Sequence, residues 1–225
     1  MTTLKIGTEI EWSCTIRSRS YESDWERKSD ASIQGNYSPH EFITKVPSLP
    51  EIDTKNPKAG LDTACNQFKS LLSCMSAIDV NASQGIHFHV SGFSKKSVIY
   101  SKEFFEFFIS EYKKMCKTPL ELDRVSTSEH RQTPYGRRQN YAQAVYNDSN
   151  RYKAINYLHA YYKLKTFEFR LFASTKSVSD YRRYLTFLVR CIAKFENRTI
   201  PVDTFHAVDD EPSSKTVIQL KELCL

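Results

Sequence analysis

Three short segments of the chain each place two chemically active side chains two residues apart. The pairs are Glu9 with Glu11, His87 with His89, and Glu168 with Arg170. Residues at i and i+2 of an extended strand lie on one face of that strand, so both members of each pair point the same way. If the three strands are neighbours in one sheet, the carboxylates and imidazoles meet on one patch. Crowded carboxylates repel one another, and divalent cations would relieve that repulsion.

The chemistry of these side chains favours a hard cation. The oxygen donors are the carboxylates of Glu9, Glu11, Glu41 and Glu168, and such donors are typical of Mg2+ or Mn2+ sites. A histidine beside them favours Mn2+ somewhat more than a set of carboxylates alone would. Arg170 adds a guanidinium, which can bind a phosphate through two parallel hydrogen bonds.

Each pair has a simpler interpretation when it is taken alone. A Glu-x-Glu segment on a strand is usually a solvated face, and a His-x-His segment is more often structural than functional. A site is favoured because all three pairs occupy the polar side of strands whose other side is apolar.

The strands that would position these pairs are indicated by alternating hydrophobicity. From Leu4 to Trp12, apolar residues and one Thr alternate with Lys, Gly and Glu, and Ile86 to Val90 repeats this design. The other predicted strands are Glu41–Thr44, Tyr152–His159 and Thr166–Phe172.

Helices are predicted where apolar residues recur every three to four positions. These segments are Leu61–Ile78, Ser101–Cys116 with Ser101 as its N-cap, Ser179–Phe195 and a short one from about Ser214 to Leu223. Strands that are apolar on one side, with helices to cover that side, predict an α+β fold. It has two layers, a mostly antiparallel sheet with helices on one face. Residues 117–150 lack periodicity and carry several arginines, which predicts a lid or substrate loop.

Composition limits the class of protein. The chain has 225 residues, of which 40% are hydrophobic and only 14 are Gly or Pro, namely 6 and 8, which excludes collagen-like and mostly disordered chains. One domain over residues 1–225 is expected at this length. The net charge of +6 suits phosphate-bearing ligands without requiring nucleic acid.

The N-terminal residues and the cysteines bear on location. The first twelve residues show neither the basic segment nor the apolar segment of a secretory signal, and no stretch is apolar enough to cross a membrane. The six cysteines form no Cys-x-x-Cys pair, and several occupy apolar positions of helical patterns, as reduced thiols do. We therefore expect the protein to work in a reducing cytoplasm and to have no membrane partner.

Several short motifs occur in the order found in a known family. They are Gly7-Thr8-Glu9-Ile10-Glu11, Asp30–Ile33, Glu41–Thr44 with Pro47, Asn81–His89, Asn150-Arg151-Tyr152 through Asn156, and Thr166–Arg170 with Thr175. In this the chain resembles the amidoligases of the carboxylate–amine ligase group, a family similar to a reduced glutamine synthetase catalytic domain. The chain departs from the family at Ala31, where Gly is usual, and no family motif aligns over residues 117–150.

The resemblance implies an ATP-dependent ligase that joins a carboxylate to an amine through an acyl phosphate, on a glutamine synthetase-like fold. It implies Mg2+ or Mn2+ ligands at Glu9, Glu11, Glu41, His87 and Glu168. It implies contacts to ATP or to the acyl phosphate from His89, Arg151 and Arg170, with Asn81 and Gly85 shaping the loop beneath the substrate. Asp30 would take the proton of the attacking amine, and Asp30, Arg151 and Arg170 would be the catalytic set.

Other functions stay open at this stage. A guanidino-kinase-like phosphotransferase would use the same fold and stop at phosphorylation. A basic nucleic-acid-binding module would use Arg131, Arg137, Arg138 and the segment Tyr152–Tyr162, although nucleic acid is not the expected partner. A zinc hydrolase on His87 and His89 would need a third histidine or cysteine ligand that the pattern does not supply. The expected partners are a small-molecule or peptide carboxylate and an amine donor; an exposed sheet edge is compatible with a dimer, and the oligomeric state is left open.

Overall fold

The computed structural model describes residues 3–93, 102–124, 131–132, 138–139, 154–156 and 166–195. The strands are β1 (Thr3–Ile16), β2 (Trp25–Ser29), β3 (Ser38–Thr44), β4 (Glu51–Asp53), β5 (Met75–Asp79), β6 (Gly85–Ser91), β7 (Arg131–Gln132), β8 (Arg138–Gln139), β9 (Ile155–Asn156) and β10 (Phe167–Ala173). The helices are α1 (Lys58–Ser73), α2 (Lys102–Met115), α3 (Pro119–Asp123) and α4 (Val178–Phe195), with short 3-10 turns at Ser20–Ser23 and Val46–Ser48.

One antiparallel sheet organises the described residues. Its strand order is β2-β3-β1-β6-β10-β9, and β4 and β5 pair with the two ends of β1. Strands β7 and β8 pair only with each other within this part of the chain. The central strand β1 is long because its alternation continues past Trp12 to Ile16, and it pairs on both edges. The predicted α+β class with a mostly antiparallel sheet is confirmed.

The apolar face of the sheet packs against the helices. Phe68 of α1 stacks on Tyr181 of α4 with ring centroids 4.3 Å apart, and its ring lies 5.7 Å from Trp12 of β1. The Tyr181 hydroxyl lies 2.9 Å from the Thr8 hydroxyl oxygen, which anchors α4 on the same strand. From α2, the ring of Phe108 packs on Phe169 of β10 at 5.1 Å. Helices α1, α2 and α4 therefore lie on one face, as predicted, and the opposite face carries the polar side chains.

The first helix ends earlier than its periodicity predicts. A helix over Leu61–Ile78 was expected, but α1 ends at Ser73 and residues 75–79 form β5. Met75 lies opposite Ile16 and Ile78 lies opposite Cys14, so this segment gains backbone pairing with β1. The apolar residues of a short segment fit a period of two nearly as well as a period of 3.6, and long-range pairing decided between them.

Several other predicted elements fall partly or wholly outside the described residues. Of the predicted strand Tyr152–His159, only residues 154–156 are described, and Ile155–Asn156 form a strand there. The predicted N-cap Ser101 and the predicted helix Ser214–Leu223 lie outside this part of the chain, as does most of the proposed lid over residues 117–150. At the start of that segment, Pro119–Asp123 forms α3, which the periodicity did not indicate. No helix in the described ranges is long and apolar enough to cross a membrane.

Candidate metal centre

The strand register brings the predicted side chains to one face of the sheet. Direct cross-strand partners are Glu9 and His87, Glu11 and Glu41, Glu168 and His89, and Glu168 and Asn156. Directly opposite residues of an antiparallel pair share a face, with their Cβ atoms roughly 5 Å apart. The predicted meeting of Glu9, Glu11, Glu41, Glu168 and a histidine on one polar patch is confirmed across β3, β1, β6 and β10, and β9 adds Asn156 to it.

His87 lies at the centre of this patch. Its Nδ1 atom is 3.3 Å from Oε2 of Glu9 and 3.6 Å from Oε1 of Glu168, and its Nε2 atom is 3.8 Å from Oε1 of Glu11. His87 and Glu168 are almost completely buried, at 2% and 1% exposure. Carboxylates this close and this far from water need a compensating positive charge, from a proton, a guanidinium or a cation.

Three of these residues fit the donor set of a divalent cation. Glu9, His87 and Glu168 each offer one ligand atom, and the three atoms lie within 4.8 Å of one another. Two carboxylate oxygens and one imidazole nitrogen suit Mn2+ or Mg2+. Glu11 adjoins this group through His87, while Glu41 lies one strand further out, opposite Glu11. The five implied ligands thus divide into a compact trio and two neighbouring carboxylates.

The two histidines have different surroundings. The Nε2 atom of His89 lies 2.9 Å from Oε1 of Glu9, and its Nδ1 atom lies 3.4 Å from the hydroxyl oxygen of Thr166. Burial lowers the pKa of His89, but the hydrogen bond and charge of Glu9, with the charge of Glu168, raise it overall above its usual value. A protonated His89 is suited to an anionic group such as a phosphate rather than to a cation.

Glu9 is held in its ionised form by both imidazoles. Burial alone would raise the pKa of Glu9, but its hydrogen bonds to His87 and His89 lower that pKa well below its usual range. An ionised carboxylate is the form that a metal ion or a charged imidazole requires as a partner. Glu9 therefore links the trio to His89.

Glu41 behaves in the opposite way. Burial, followed by the charges of Glu9, Glu11 and Asp30, raises the pKa of Glu41 to about 7, against a weaker lowering by Lys28. In the metal-free protein the folded state therefore holds a proton that the unfolded chain has already released. The contribution of Glu41 to the free energy of unfolding is therefore most favourable at acid pH. It is lost as pH rises through about 7, where the folded protein releases this proton.

We expect Glu41→Gln to stabilise the metal-free protein at alkaline pH. The variant removes a carboxylate whose ionisation opposes folding, and we expect a gain of about 1 kcal/mol after allowance for solvent screening, or a rise in Tm of roughly 3 °C. Thermal melts in a chelator at about pH 8 would measure it, and the difference should shrink towards pH 5. Equal Tm values for the variant and the wild type at alkaline pH would contradict the repulsion.

Glu168 is held by two neighbours besides His87. The Arg170 guanidinium forms an ion pair with Oε1 of Glu168, and Nδ2 of Asn156 donates to its Oε2 at 2.8 Å. Asn156 is 2% exposed. It belongs to a motif of the resemblance but received no role there; an amide within an apolar strand pattern was the signal that could have singled it out.

An extra residue in β10 helps to position Glu168 and Arg170. The pairs on either side of the irregularity are Phe169 with Phe88 and Phe172 with Ile86. Two residues of β10, Arg170 and Leu171, therefore lie opposite the single residue His87 of β6. This two-to-one pairing is a β-bulge. Because of the bulge, Phe172 lies on the apolar face, where its ring is 4.9 Å from that of Phe88. The Arg170 guanidinium lies beside Glu168 on the polar face.

The remaining predicted residues lie around the patch or outside the described chain. Asp30 is close enough to raise the pKa of Glu41, and its Oδ1 accepts from the backbone N–H of Ser32 at 2.8 Å. Asn81 donates from Nδ2 to the carbonyl oxygen of Gln34 at 2.9 Å, which fastens the loop that follows Asp30. Arg151 lies outside the described residues.

Gly85 stands at the first position of β6, where its lack of a side chain has a clear use. A Cβ atom there would lie 2.5 Å from Nη2 of Arg124 and 3.2 Å from Nε2 of His87. The predicted role of Gly85 in shaping a loop beneath the substrate stays a prediction. What the position provides is room for a guanidinium next to the central histidine.

Comparison of this chain with protein-family models, with curated proteins and with solved structures finds no match. The resemblance to the amidoligases therefore stays a prediction that rests on its short motifs. The side chains of the polar face are the structural features that bear on function.

Proposed function

We propose that this protein is an ATP- and divalent-metal-dependent amidoligase with a glutamine synthetase-like catalytic domain. The observation that carries the proposal is the trio of Glu9, His87 and Glu168, whose ligand atoms lie within 4.8 Å of one another with Arg170 beside them. A cation-binding group and a guanidinium on one sheet face are what phosphoryl transfer needs. The motif order described above supports the choice of ligase among such reactions.

The reaction follows from the poor reactivity of a carboxylate towards amines. A carboxylate oxygen of the substrate attacks the γ-phosphorus of ATP, the bond from that phosphorus to the bridging oxygen of ADP breaks, and ADP leaves. The amine then attacks the acyl carbon, a C–N bond forms, the C–O bond to phosphate breaks, and inorganic phosphate leaves. The amine loses one proton in this step, and Asp30 is the proposed acceptor.

The residues of the site divide this work. Glu9, His87 and Glu168, with Glu11 and Glu41 beside them, would hold Mg2+ or Mn2+. When bound, the cation supplies charge neutralisation at the β- and γ-phosphates. Despite burial, the hydrogen bond to Glu9 raises the pKa of His89, and His89 is proposed to contact a phosphate. Arg170, together with Arg151, is proposed to bind the transferring phosphoryl group. Asn81 and Gly85 are proposed to shape the loop beneath the substrate.

The proposed partners are a small-molecule or peptide carboxylate and an amine donor. We further propose that the protein works in the cytoplasm. Cys14, Cys65, Cys74 and Cys191 are buried thiols outside any disulfide, and burial raises the pKa of Cys14 to about 11 and that of Cys191 to about 12. Such thiols are unreactive packing groups, which supports a reducing compartment.

We expect the protein to convert hydroxylamine and a pool of carboxylic acids into hydroxamates with ATP and Mg2+ or Mn2+. Hydroxylamine serves as a generic amine that traps an acyl phosphate. Release of ADP should require both the acid and the metal, and a chelator should abolish it. Phosphorylation of guanidino compounds without hydroxamate would indicate the phosphotransferase instead. Salt-sensitive binding of nucleic acid without any release of ADP would indicate the nucleic-acid-binding module.

A further inference from the structure

At the β10 bulge, two backbone carbonyls accept hydrogen bonds from Arg124, the residue directly after α3. Arg124 donates from Nη2 to the carbonyl oxygen of Arg170 at 2.9 Å and from Nε to that of Leu171 at 3.0 Å. Its Nη1 donates to the carbonyl oxygen of Gln84 at 3.0 Å, immediately before β6. The Tyr112 hydroxyl also donates to the Leu171 carbonyl, at 2.7 Å. One guanidinium therefore joins the bulge of β10 to the start of β6.

The energetic reason for this arrangement lies in the bulge itself. A bulge takes backbone groups out of the sheet ladder, and a buried carbonyl without a donor destabilises the folded state. Arg124 is 5% exposed, so it meets these carbonyls away from bulk water. Its planar fork presents donors in fixed directions, and the three carbonyl oxygens define one orientation of the bulge relative to β6.

Arg124 directly follows α3, a short helix that is held by its N-terminal cap and by contacts with α4. Thr118 and Glu121 form a capping box at the N-terminus of α3, with the Thr118 N–H donating to Oε2 of Glu121 at 3.0 Å. The Tyr184 hydroxyl of α4 donates to Oε1 of Glu121 at 2.6 Å, and Arg183 forms an ion pair with the same carboxylate. Helix α3 is thereby fastened to α4, and Arg124 follows directly after it.

The guanidinium also reaches the polar face of β6. Gly85 and His87 are two residues apart on that strand and share a face. Nη2 of Arg124 and Nε2 of His87 lie 2.5 Å and 3.2 Å from the point where a Gly85 Cβ atom would stand. The same guanidinium that holds the bulge therefore lies against the strand that carries the central histidine.

We propose that Arg124 is a positioning residue of the metal centre. By holding the carbonyls of Arg170 and Leu171, it sets where Glu168 and the Arg170 guanidinium stand relative to His87. The proposal rests on the proposed metal-dependent function, because the quantity that it controls is the geometry of the cation ligands.

The test is Arg124→Lys, which keeps the charge and loses the fork. We expect the Mn2+ dissociation constant of the folded protein to rise by about 10- to 100-fold, as when partners of metal ligands are removed. Hydrogen exchange over residues 167–173 should become faster, with the exchange in α1 unchanged. The matched control is Arg17→Lys: the exposed Arg17 donates from Nε and Nη2 to the carbonyl oxygen of Ser73, and its replacement should change neither measurement.

The outcomes separate the positioning role from a purely structural one. A lowered Tm with an unchanged Mn2+ dissociation constant, measured well below the transition, would overturn the proposal. A wild-type protein that binds no Mn2+ would instead remove the proposed function. In that case unchanged exchange over residues 167–173 in Arg124→Lys would overturn the bulge-holding role as well, and faster exchange there would support it.

A second variant covers the possibility that Arg124→Lys does not fold. Gly85→Ala would place a methyl group 2.5 Å from Nη2 of Arg124, so it should displace the guanidinium and weaken Mn2+ binding in the same direction. The same methyl group would lie 3.2 Å from Nε2 of His87, so hydrogen exchange over residues 167–173 is measured beside the Mn2+ affinity and should become faster when the guanidinium leaves the bulge. Weaker Mn2+ binding with unchanged exchange over residues 167–173, or wild-type Mn2+ affinity in Gly85→Ala, would overturn the proposal.

Discussion

Glu9→Gln is expected to weaken Mn2+ binding by at least about 100-fold, because loss even of a partner of a metal ligand costs about 10- to 100-fold. Glu9 is the carboxylate that joins the trio to His89, and its two imidazole neighbours keep its pKa well below the usual range, so it is charged at neutral pH. Glutamine keeps the shape of the side chain and removes the charge that attracts the cation. Titration of the protein with Mn2+, followed by electron paramagnetic resonance of the free ion, measures the change.

A matched control is available on the same face of the sheet. Glu26 of β2 lies opposite Ile43, which itself lies opposite Glu9, and the Glu26 side chain is 57% exposed. Glu26→Gln removes the same charge from the same face at a distance of two strands, and it should leave the Mn2+ affinity unchanged. Equal losses in the two variants would show that the cation responds only to the net charge of this face. Unchanged binding in Glu9→Gln would remove Glu9 from the ligand set.

Arg170→Lys is expected to lower ATP-dependent turnover by roughly 100-fold or more, as for the loss of one transition-state donor. The ion pair between Arg170 and Glu168 shows that the arginine has a structural partner, and lysine retains a charge for that partner. A bidentate contact to a transferring phosphoryl group depends on the planar fork, which lysine lacks. The melting temperature should change little, because the cation remains beside the carboxylate.

The control for this variant is an arginine–carboxylate pair away from the polar face. Arg182 of α4 forms an ion pair with Asp62 of α1, and both side chains are partly exposed. Arg182→Lys should change stability by under about 1 kcal/mol and leave turnover at its wild-type value. Near-normal turnover in Arg170→Lys would show that the pair with Glu168 is its whole role.

Local patterns in the sequence were sufficient to predict which face of β1 and of β6 each side chain occupies. The alternation from Leu4 to Trp12 and from Ile86 to Val90 correctly separates the apolar core side chains on one face from Glu9, Glu11, His87 and His89 on the other. This works because the side-chain direction of a strand has a period of two whatever its partners are. The α+β class follows from the same reasoning, since each apolar strand face needs a helix layer to cover it.

Pairing decided what the local patterns left ambiguous. Residues 75–79 continue a helical period, yet their contact with the end of β1 makes them a strand. The prediction for Leu61–Ile78 was wrong at its end because periodicity carries no information about distant partners. The two-residue spacing in Glu168-x-Arg170 likewise did not reveal the bulge beside His87.

The sequence by itself determined which side chains lie on the polar face of β1 and β6, and so which of their residues could form a metal centre. Only the tertiary structure decided that Glu9 stands opposite His87, that Asn156 donates to Glu168, and that Arg124 holds the β10 bulge. The physical reason is that register and bulges arise from hydrogen bonds between segments far apart in the chain. The hydrogen bonds of Arg124 join the carbonyls of Arg170 and Leu171 to that of Gln84. They depend on β10 and β6 lying side by side, which no local pattern predicts.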